Sequence, residues 1–494
     1  MDHTAAMSAA ENMSSVDRAW LLMDQPSHPM MIVGLLVLDA GIERAALREL
    51  IERRFLAYPR FRCVPVNGRI AAAWEESAQF DLDDHVLSRA LPLPAGQQEL
   101  QALVGELAST PFNPGRPPWT FHIVENFDGR SAIIVRIHHA YADGVALVQV
   151  LLSLADDEGK GSHPDASTAH CVPASRAESS SGWLTERVFQ TLQGGANLTE
   201  IAVHYALHPG EASTLARQAL GMAGELAHLG LLADDPATPL KQPMSGIRRS
   251  AWTEGLPLQE LRTMSHVLAC TINDVLMSSL AGALGRYLES RGYPVQGVTI
   301  RAAVPVNLRG TGNPQPTLGN RFGLVFVDLP IGIRHPLARL YTVRAGIQKL
   351  KDSPQALITL GLLSLIGSLP ATAADPMIAL FSSKASVVAS NLPGPPAPLH
   401  VAGAAVSQLL FWVPQAGDIG IGISMLSYGD RVQIGVIADR YLIPEPAELV
   451  AQIGVEFERL VLLVLLGGAA VAPVAPVKRD RAAPSRRRTA PSHR

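Results

Sequence analysis

The chain has 494 residues, of which 47% are hydrophobic and 17% are charged. This composition excludes a disordered chain and provides enough apolar material for two or three domains with large cores. The formal net charge of −3 argues against a nucleic-acid-binding protein, and the three widely spaced cysteines suggest a reducing compartment without a disulfide framework.

The first 155 residues predict alternating strands and helices. The N-terminus has acidic residues and no basic stretch before an apolar core, so we expect no signal peptide. Apolar and polar spacing predicts strands at 30–39, 70–74, 119–125 and 131–138, and helices at 42–57, 97–109 and 144–156. An Asp128-Gly129 turn is expected to join the last two strands as a hairpin.

The middle of the chain differs in composition from both ends. Residues 156–182 are polar and rich in Ser, Gly and Pro, which predicts a linker, and residues 183–232 look helical. A second mixed segment begins near residue 243. Its predicted helices are 272–291, 336–350 and 444–466, and its predicted strands are 298–306, 385–389, 401–412, 419–428 and 431–438.

Two apolar stretches and a basic tail are each open to more than one interpretation. Residues 357–369 are too short to span a bilayer, and residues 460–477 are uncharged but broken by Gly and Pro. Each fits either a core helix or contact with a lipid surface, and a membrane span stays the least favoured alternative for 460–477. Residues 478–494 carry seven Lys or Arg and one Asp, which fits a solvated end or attraction to anionic lipid headgroups.

The most specific motif is His138-His139 followed by Asp143-Gly144. The histidines end an apolar strand and the Asp-Gly pair opens a helix, which places these side chains at a domain edge, where clefts form. His139 is a candidate general base, Asp143 can fix the turn, and Gly144 allows a close backbone approach. The sequence leaves open a structural alternative, in which His139 is a buried strand-end residue and Asp143 only caps the helix. A metal site is less favoured because no third ligand is nearby in sequence.

Through this motif, the sequence resembles a known protein family. His-His-x-x-x-Asp-Gly at a strand end is the signature of the coenzyme A-dependent acyltransferase superfamily. Within it, the sequence resembles the bacterial wax ester synthase/acyl-CoA:diacylglycerol acyltransferases from about residue 15 to about residue 465. Further matching stretches are 17–34, 116–119, 245–249, 271–275, 281–288, 319–323 and 390–395. Pro118 and Leu392 depart from the family pattern, which often has Leu and Val at these positions.

The resemblance implies a mixed α/β fold. Two chloramphenicol-acetyltransferase-like domains, each a mixed sheet flanked by helices, would meet at an active-site channel. The first domain would comprise residues 1–155 and the second residues 243–468. A linker and helical crossover at 156–242 would join them, and a disordered basic tail would occupy 469–494.

The resemblance also implies an activity. A long-chain acyl group would move from acyl-CoA to diacylglycerol, to a long-chain alcohol, or to both, without an acyl-enzyme. His139 would be the general base, with His138, Asp143 and Gly144 in support, and Asn273 would contribute to oxyanion stabilisation. The alternative for Asn273 is a helix N-cap.

The same resemblance implies which cofactors, partners and cellular location to expect. No cofactor is expected beyond acyl-CoA as co-substrate, and no nucleic-acid partner. The expected location is the cytoplasm, with peripheral contact to the inner membrane or to lipid droplets as an open alternative. Two other functions stay open: the same fold acting on a different hydroxyl acceptor, and a non-catalytic lipid-binding or lipid-droplet protein.

Overall fold

The structure, a computed structural model, describes residues 11–68, 71–156, 230, 232–309 and 318–467. Most of the predicted linker and helical crossover and all of the predicted basic tail lie outside these ranges, so those predictions are not addressed by it. The described residues form two large mixed sheets and one small sheet, with helices packed on the large ones.

The strands in the described ranges are, in chain order, β1 (Glu11–Asn12), β2 (Met31–Leu38), β3 (Cys63–Asn67), β4 (Ala72–Glu76), β5 (Val86–Arg89), β6 (Trp119–Phe127), β7 (Arg130–His138), β8 (Arg248–Trp252), β9 (Leu256–Pro257), β10 (Ile300–Asn307), β11 (Phe322–Leu329), β12 (Val387–Pro393), β13 (His400–Val401), β14 (Ala404–Trp412), β15 (Ile421–Tyr428) and β16 (Arg431–Asp439). The α-helices in the same described ranges are α1 (Ser15–Met23), α2 (Arg44–Leu50), α3 (Gln97–Ser109), α4 (Gly144–Leu152), α5 (Leu258–Val267), α6 (Ile272–Ser290), α7 (Pro336–Lys351), α8 (Gln355–Ser368), α9 (Ala371–Ser382) and α10 (Pro446–Leu465).

The first large sheet has the order β13–β14–β2–β7–β6–β5. All eight residues of β2 are buried, because helices or other side chains cover both faces of this strand. The predicted hairpin is present: β6 and β7 pair antiparallel, and both Asp128 and Gly129 have positive φ, as a tight hairpin turn requires.

One strand pair joins the two halves of the chain within this first sheet. β14 lies antiparallel to β2, with Leu410 opposite Leu35 and Trp412 opposite Val33. Residues 400–412 therefore belong to the first sheet, although they lie inside the segment 243–468 that was predicted as the second domain. Composition could not show this, because an apolar strand pairs equally well with either sheet.

The second large sheet has the order β11–β10–β12–β15–β16–β8, with β9 paired to β16. β12 runs parallel to both of its neighbours, whereas the other main pairs are antiparallel. One face of this sheet packs on α6, α7 and α10 in an apolar core. The opposite face points toward α1, α8 and α9, and the functional site lies on that side.

Candidate functional site

The turn between β7 and α4 places the predicted histidines and aspartate. β7 ends at His138, and α4 begins at Gly144. Asp143 is the N-cap of α4, and its Oδ1 accepts a hydrogen bond from the Ala146 N–H at 3.0 Å. The strand, turn and helix thus lie where the sequence predicted them, and the capping role of Asp143 that the structural alternative required is present.

His139 is almost completely buried, with 3% of its surface exposed. Its ring stacks on Trp20 with the ring centroids 4.0 Å apart, and the centroid of the Phe322 ring lies 5.6 Å from that of the His139 ring. Burial lowers the pKa of the imidazole from 6.5 to about 4, an effect that the Asp143 carboxylate partly opposes. At neutral pH the ring is therefore uncharged, which is the form that can accept a proton.

His138 has different surroundings from His139. Its Nδ1 accepts a hydrogen bond from the Ala140 N–H at 3.1 Å, and its Nε2 lies 3.7 Å from an Asp24 carboxylate oxygen. These contacts fix the His138 ring beside the turn.

The Asp143 carboxylate also binds a distant arginine. Its Oδ2 accepts hydrogen bonds from Arg309 Nη2 at 2.8 Å and from the Arg321 backbone N–H at 2.9 Å. Arg309 follows β10, so this pair connects the β7–α4 turn with the second sheet. The sequence could not identify Arg309 as the partner of Asp143.

Asn273 lies in the first turn of α6, but it is not the N-cap. Thr271 is, and it forms a capping box with Asp274. The Asn273 Oδ1 accepts a hydrogen bond from Asn391 Nδ2 at 3.1 Å. A cavity lies beside His139, and Asn273 is not among the described residues that line it.

A predominantly apolar cavity opens beside His139. Alternate residues of β10, β11 and β12 face it, as the two-residue period of a strand requires. The apolar lining consists of Trp20, Met23, Val145, Ala303, Pro305, Phe322, Leu324, Phe326, Leu363, Ile366, Ile378, Phe381, Val388, Leu392, Val413, Pro414, Ala416 and Ile419. Such a lining suits a long hydrocarbon chain.

Few polar side chains reach this cavity, and Ser390 is the most distinctive of them. The lining includes His139, Asp143, Asn307, Ser382 and Ser390. Ser390 is 1% exposed, and its Oγ has no hydrogen-bond partner among the described residues. A buried hydroxyl without a partner is unfavourable, so a hydrogen bond to an oxygen atom of a bound ligand would stabilise it.

Sequence reasoning missed Ser390, Arg309 and Trp20 as individual site residues. Ser390 and Trp20 lie inside the family-like stretches 390–395 and 17–34, which were the available signal. Arg309 had no signal, because a single arginine after a strand is common.

Neither a metal cluster nor a single spanning helix is found in the part of the chain that the structure describes. No group of three or more His, Cys, Asp and Glu there could hold a metal ion. No single helix there is long and apolar enough to cross a membrane; only α5 and α6 together reach that length and composition, with a bend of 100° between them.

Solved structures with the same fold include two kinds of enzyme domain. The wax ester synthase/diacylglycerol acyltransferase from Marinobacter aquaeolei VT8 is 20% identical, with a TM-score of 0.63 and coverage of 93% of this chain and 100% of that chain. The first condensation domain of the calcium-dependent antibiotic synthetase is 15% identical, with a TM-score of 0.57 and coverage of 95% and 98%. These likenesses confirm the predicted fold of two chloramphenicol-acetyltransferase-like domains.

Sequence comparison identifies the family. A protein of Mycobacterium tuberculosis named as a probable diacylglycerol O-acyltransferase is 29% identical over 406 residues, which are 80% of this chain and 82% of that protein. The model of the wax ester synthase/diacylglycerol acyltransferase catalytic domain matches residues 13–276, and the model of the C-terminal domain of the same family matches residues 318–461. The chain therefore belongs to the wax ester synthase/diacylglycerol acyltransferase family and is an acyltransferase.

Proposed function

We propose that the protein transfers a long-chain acyl group from acyl-CoA to the hydroxyl of diacylglycerol, of a long-chain alcohol, or of both. The products are triacylglycerol and wax ester. The observation that carries this proposal is a buried, uncharged imidazole, His139, in the wall of an apolar cavity. The family membership supports it, as do the names of the relatives.

The cavity lining supplies the affinity for the acyl chain in this proposal. Burial of apolar surface contributes roughly 25 cal/mol per Å², so the methylene groups of a long chain provide most of the binding free energy. The charged part of acyl-CoA would remain outside this apolar region.

The proposed reaction is a direct transfer. His139 removes the proton from the acceptor hydroxyl, and the oxygen attacks the thioester carbonyl carbon. The carbonyl electron pair moves onto oxygen, and the tetrahedral oxyanion then re-forms the carbonyl as the C–S bond breaks. The thiolate takes the proton from the His139 imidazolium. No acyl-enzyme forms, and no cofactor other than acyl-CoA as co-substrate takes part.

The oxyanion requires fixed hydrogen-bond donors. The Ser390 hydroxyl is our candidate, because it is buried in the cavity wall and has no partner among the described residues. The sequence pointed to Asn273 instead. Its contact with Asn391, which follows Ser390 in β12, favours a role for Asn273 in holding that strand.

The other predicted residues hold the turn that carries His139. His138 is held by the turn itself, and Asp143 fixes that turn to Arg309. Gly144 begins α4 in the cavity wall, and a Cβ added there would make only an ordinary van der Waals contact, 3.5 Å from Leu392 Cδ1.

An assay of the purified protein tests this function. Labelled palmitoyl-CoA would be offered with hexadecanol and with diacylglycerol in parallel, and the lipid products separated by chromatography. We expect ester from the wild type and a loss of at least about 100-fold in His139→Ala, since a positioned base contributes about 10²–10⁴-fold. His266→Ala, which removes an exposed histidine, is the control.

The outcomes distinguish the alternatives. The better acceptor identifies the preferred product. No ester from folded protein with either acceptor would contradict the proposal and favour a different acceptor or a lipid-binding protein. Equal rates for wild type and His139→Ala would show that His139 is not the base.

A further inference from the structure

A second, separate pocket lies on the first large sheet. Residues of β5, β6 and β7 line it, together with residues of the segment 111–117 between α3 and β6. It shares no lining residue with the apolar cavity beside His139 among those that the structure describes. Its charged lining consists of three arginines and one aspartate: Arg89, Arg116, Arg136 and Asp84. Such an excess of positive charge in a concave surface attracts anions.

Two of these three guanidinium groups have no carboxylate partner in the described ranges. Arg116 pairs with Asp84 at 2.8 Å, which accounts for the one acidic side chain of the pocket. Arg89 Nε donates a hydrogen bond to Nδ1 of the neutral His122 ring at 3.3 Å. Burial, together with the charges of Arg136 and Arg89, lowers the pKa of His122 to about 3, so this ring adds no charge at neutral pH. The pocket therefore carries two uncompensated positive charges.

Arg136 is the buried one of these two cations, with 4% of its surface exposed. Its Cζ lies 4.7 Å from the centroid of the Phe112 ring, and its Nη2 donates to the Thr110 carbonyl oxygen. Its Nε is also buried and has no hydrogen-bond partner among the described residues. Burial and the charge of Arg89 lower its pKa from 12.5 to about 10, so it stays protonated at neutral pH. A buried cation without an anion is unfavourable, and an anion in the pocket would stabilise it.

We propose that this pocket binds a phosphate group of a phosphorylated small molecule. A guanidinium group presents N–H donors in a fork that matches two oxygens of a phosphate, and Arg136 has a donor that no described residue uses. Arg89 is exposed and supplies the second cation from the solvent side. Binding at this pocket is independent of the proton transfer proposed for His139.

Two sources of the phosphate group share this chemistry. One is acyl-CoA, the proposed co-substrate, whose nucleotide end carries a diphosphate and a phosphate monoester. The pocket adjoins the strand that leads to the active-site turn: the Pro118 carbonyl oxygen accepts a hydrogen bond from the His138 N–H at 2.9 Å, and both neighbours of Pro118 line the pocket. The other source is free phosphate or diphosphate.

Isothermal titration calorimetry of the full-length protein at low salt tests the pocket, with CoA and inorganic diphosphate as probes. The wild type should bind at least one of them saturably, and added salt should weaken the binding. We expect Arg89→Gln and Arg136→Gln to weaken it by at least about tenfold, because each removes hydrogen bonds between charged groups. Arg130→Gln is the matched control and should bind as the wild type does. Arg130 also lies on β7 and over a phenylalanine ring, but it pairs with Asp128 and does not line the pocket.

The two probes distinguish the sources. Weaker CoA binding in Arg89→Gln would assign the pocket to the phosphates of acyl-CoA. Weaker diphosphate binding with CoA binding unchanged would assign it to free phosphate or diphosphate. Because Arg89 is exposed, its variant should fold even if Arg136→Gln does not. Absence of saturable binding of both probes, or unchanged binding of both in Arg89→Gln, would overturn the proposal. Ester formation is not measured, so failure of the proposed function would leave this result intact.

Discussion

The Asp143 carboxylate and the Arg309 guanidinium lie 2.8 Å apart and join the β7–α4 turn to the end of β10. The two side chains are 5% and 15% exposed. The same carboxylate caps α4, so one side chain fixes both the helix start and the approach of the second sheet. The geometry of His139 thus depends on residues from both halves of the chain.

Loss of Arg309 should destabilise the protein strongly. Arg309→Met leaves the Asp143 charge buried without its cation, which costs about 3 kcal/mol in comparable pairs. Arg334→Met removes a pair with Glu289 in which Arg334 is 84% exposed, and we expect less than about 1 kcal/mol. Urea unfolding measures both. Equal effects would show that the Arg309 pair contributes no more than a surface pair.

Ser390→Ala should lower kcat by about 10²-fold, the usual result of removing one oxyanion donor. Ser279→Ala is the matched control, because Ser279 is equally buried but its Oγ donates to Val275 O within α6. Steady-state assays with both substrates varied give kcat and KM separately. A rise in the acceptor KM with kcat unchanged would instead place Ser390 in acceptor binding.

Acid should destabilise the protein through its buried histidines. Burial lowers the pKa of His122 from 6.5 to about 3, so below pH 6.5 the unfolded state binds a proton that the folded state excludes. This costs about 2 kcal/mol of stability between pH 7 and pH 5. His122→Gln should therefore lose less stability over that range in urea unfolding. The raised pKa of Asp17 acts in the opposite direction, but equally in both proteins. An identical pH dependence would contradict this assignment.

A larger side chain in the cavity should shorten the preferred acyl chain. Ile366 lines the cavity from α8, whereas Leu365 on the same helix is 48% exposed. Ile366→Trp is expected to favour octanoyl-CoA over palmitoyl-CoA relative to the wild type, and Leu365→Trp to leave the ratio unchanged. Competition between the two thioesters measures this. No change in Ile366→Trp would place the acyl chain elsewhere.

The basic residues 478–494 should strengthen contact with anionic lipid surfaces. Deleting them is expected to weaken sedimentation with anionic vesicles at low salt, with little effect at high salt or on neutral vesicles, because salt screens such attraction. Equal binding of the full-length and shortened proteins at low salt would show that the tail does not attract membranes.

The parts of the site that arise from neighbouring residues were predictable from the sequence. The apolar pattern before His138 and the Asp128-Gly129 turn are local signals, and the hairpin and the strand end lie where they indicate. The start of α6 was predictable for the same reason, although Thr271 rather than Asn273 caps it. The signature at residues 138–144 then pointed to the fold and the reaction class.

Contacts between distant residues were not predictable. Arg309 lies 166 residues from Asp143, and Asn320 lies 303 residues from Asp17. Such pairs form only when the two sheets meet, so no periodicity or cap encodes them. The position of β14 was missed for a related reason, because partner choice among apolar strands is settled by the packing of the whole sheet.

β14 also determines what would happen if the polypeptide were cut between residues 157 and 229. The amino-terminal piece would lack β14, the strand that pairs with β2. It would therefore expose the unpaired backbone edge of an apolar strand, and such edges are prone to self-association. The carboxyl-terminal piece would contain β14 without β2, the strand with which it pairs. Produced together, the two pieces are expected to reassemble by strand addition. A split form of the protein could therefore report on the association of two proteins, each fused to one of the pieces.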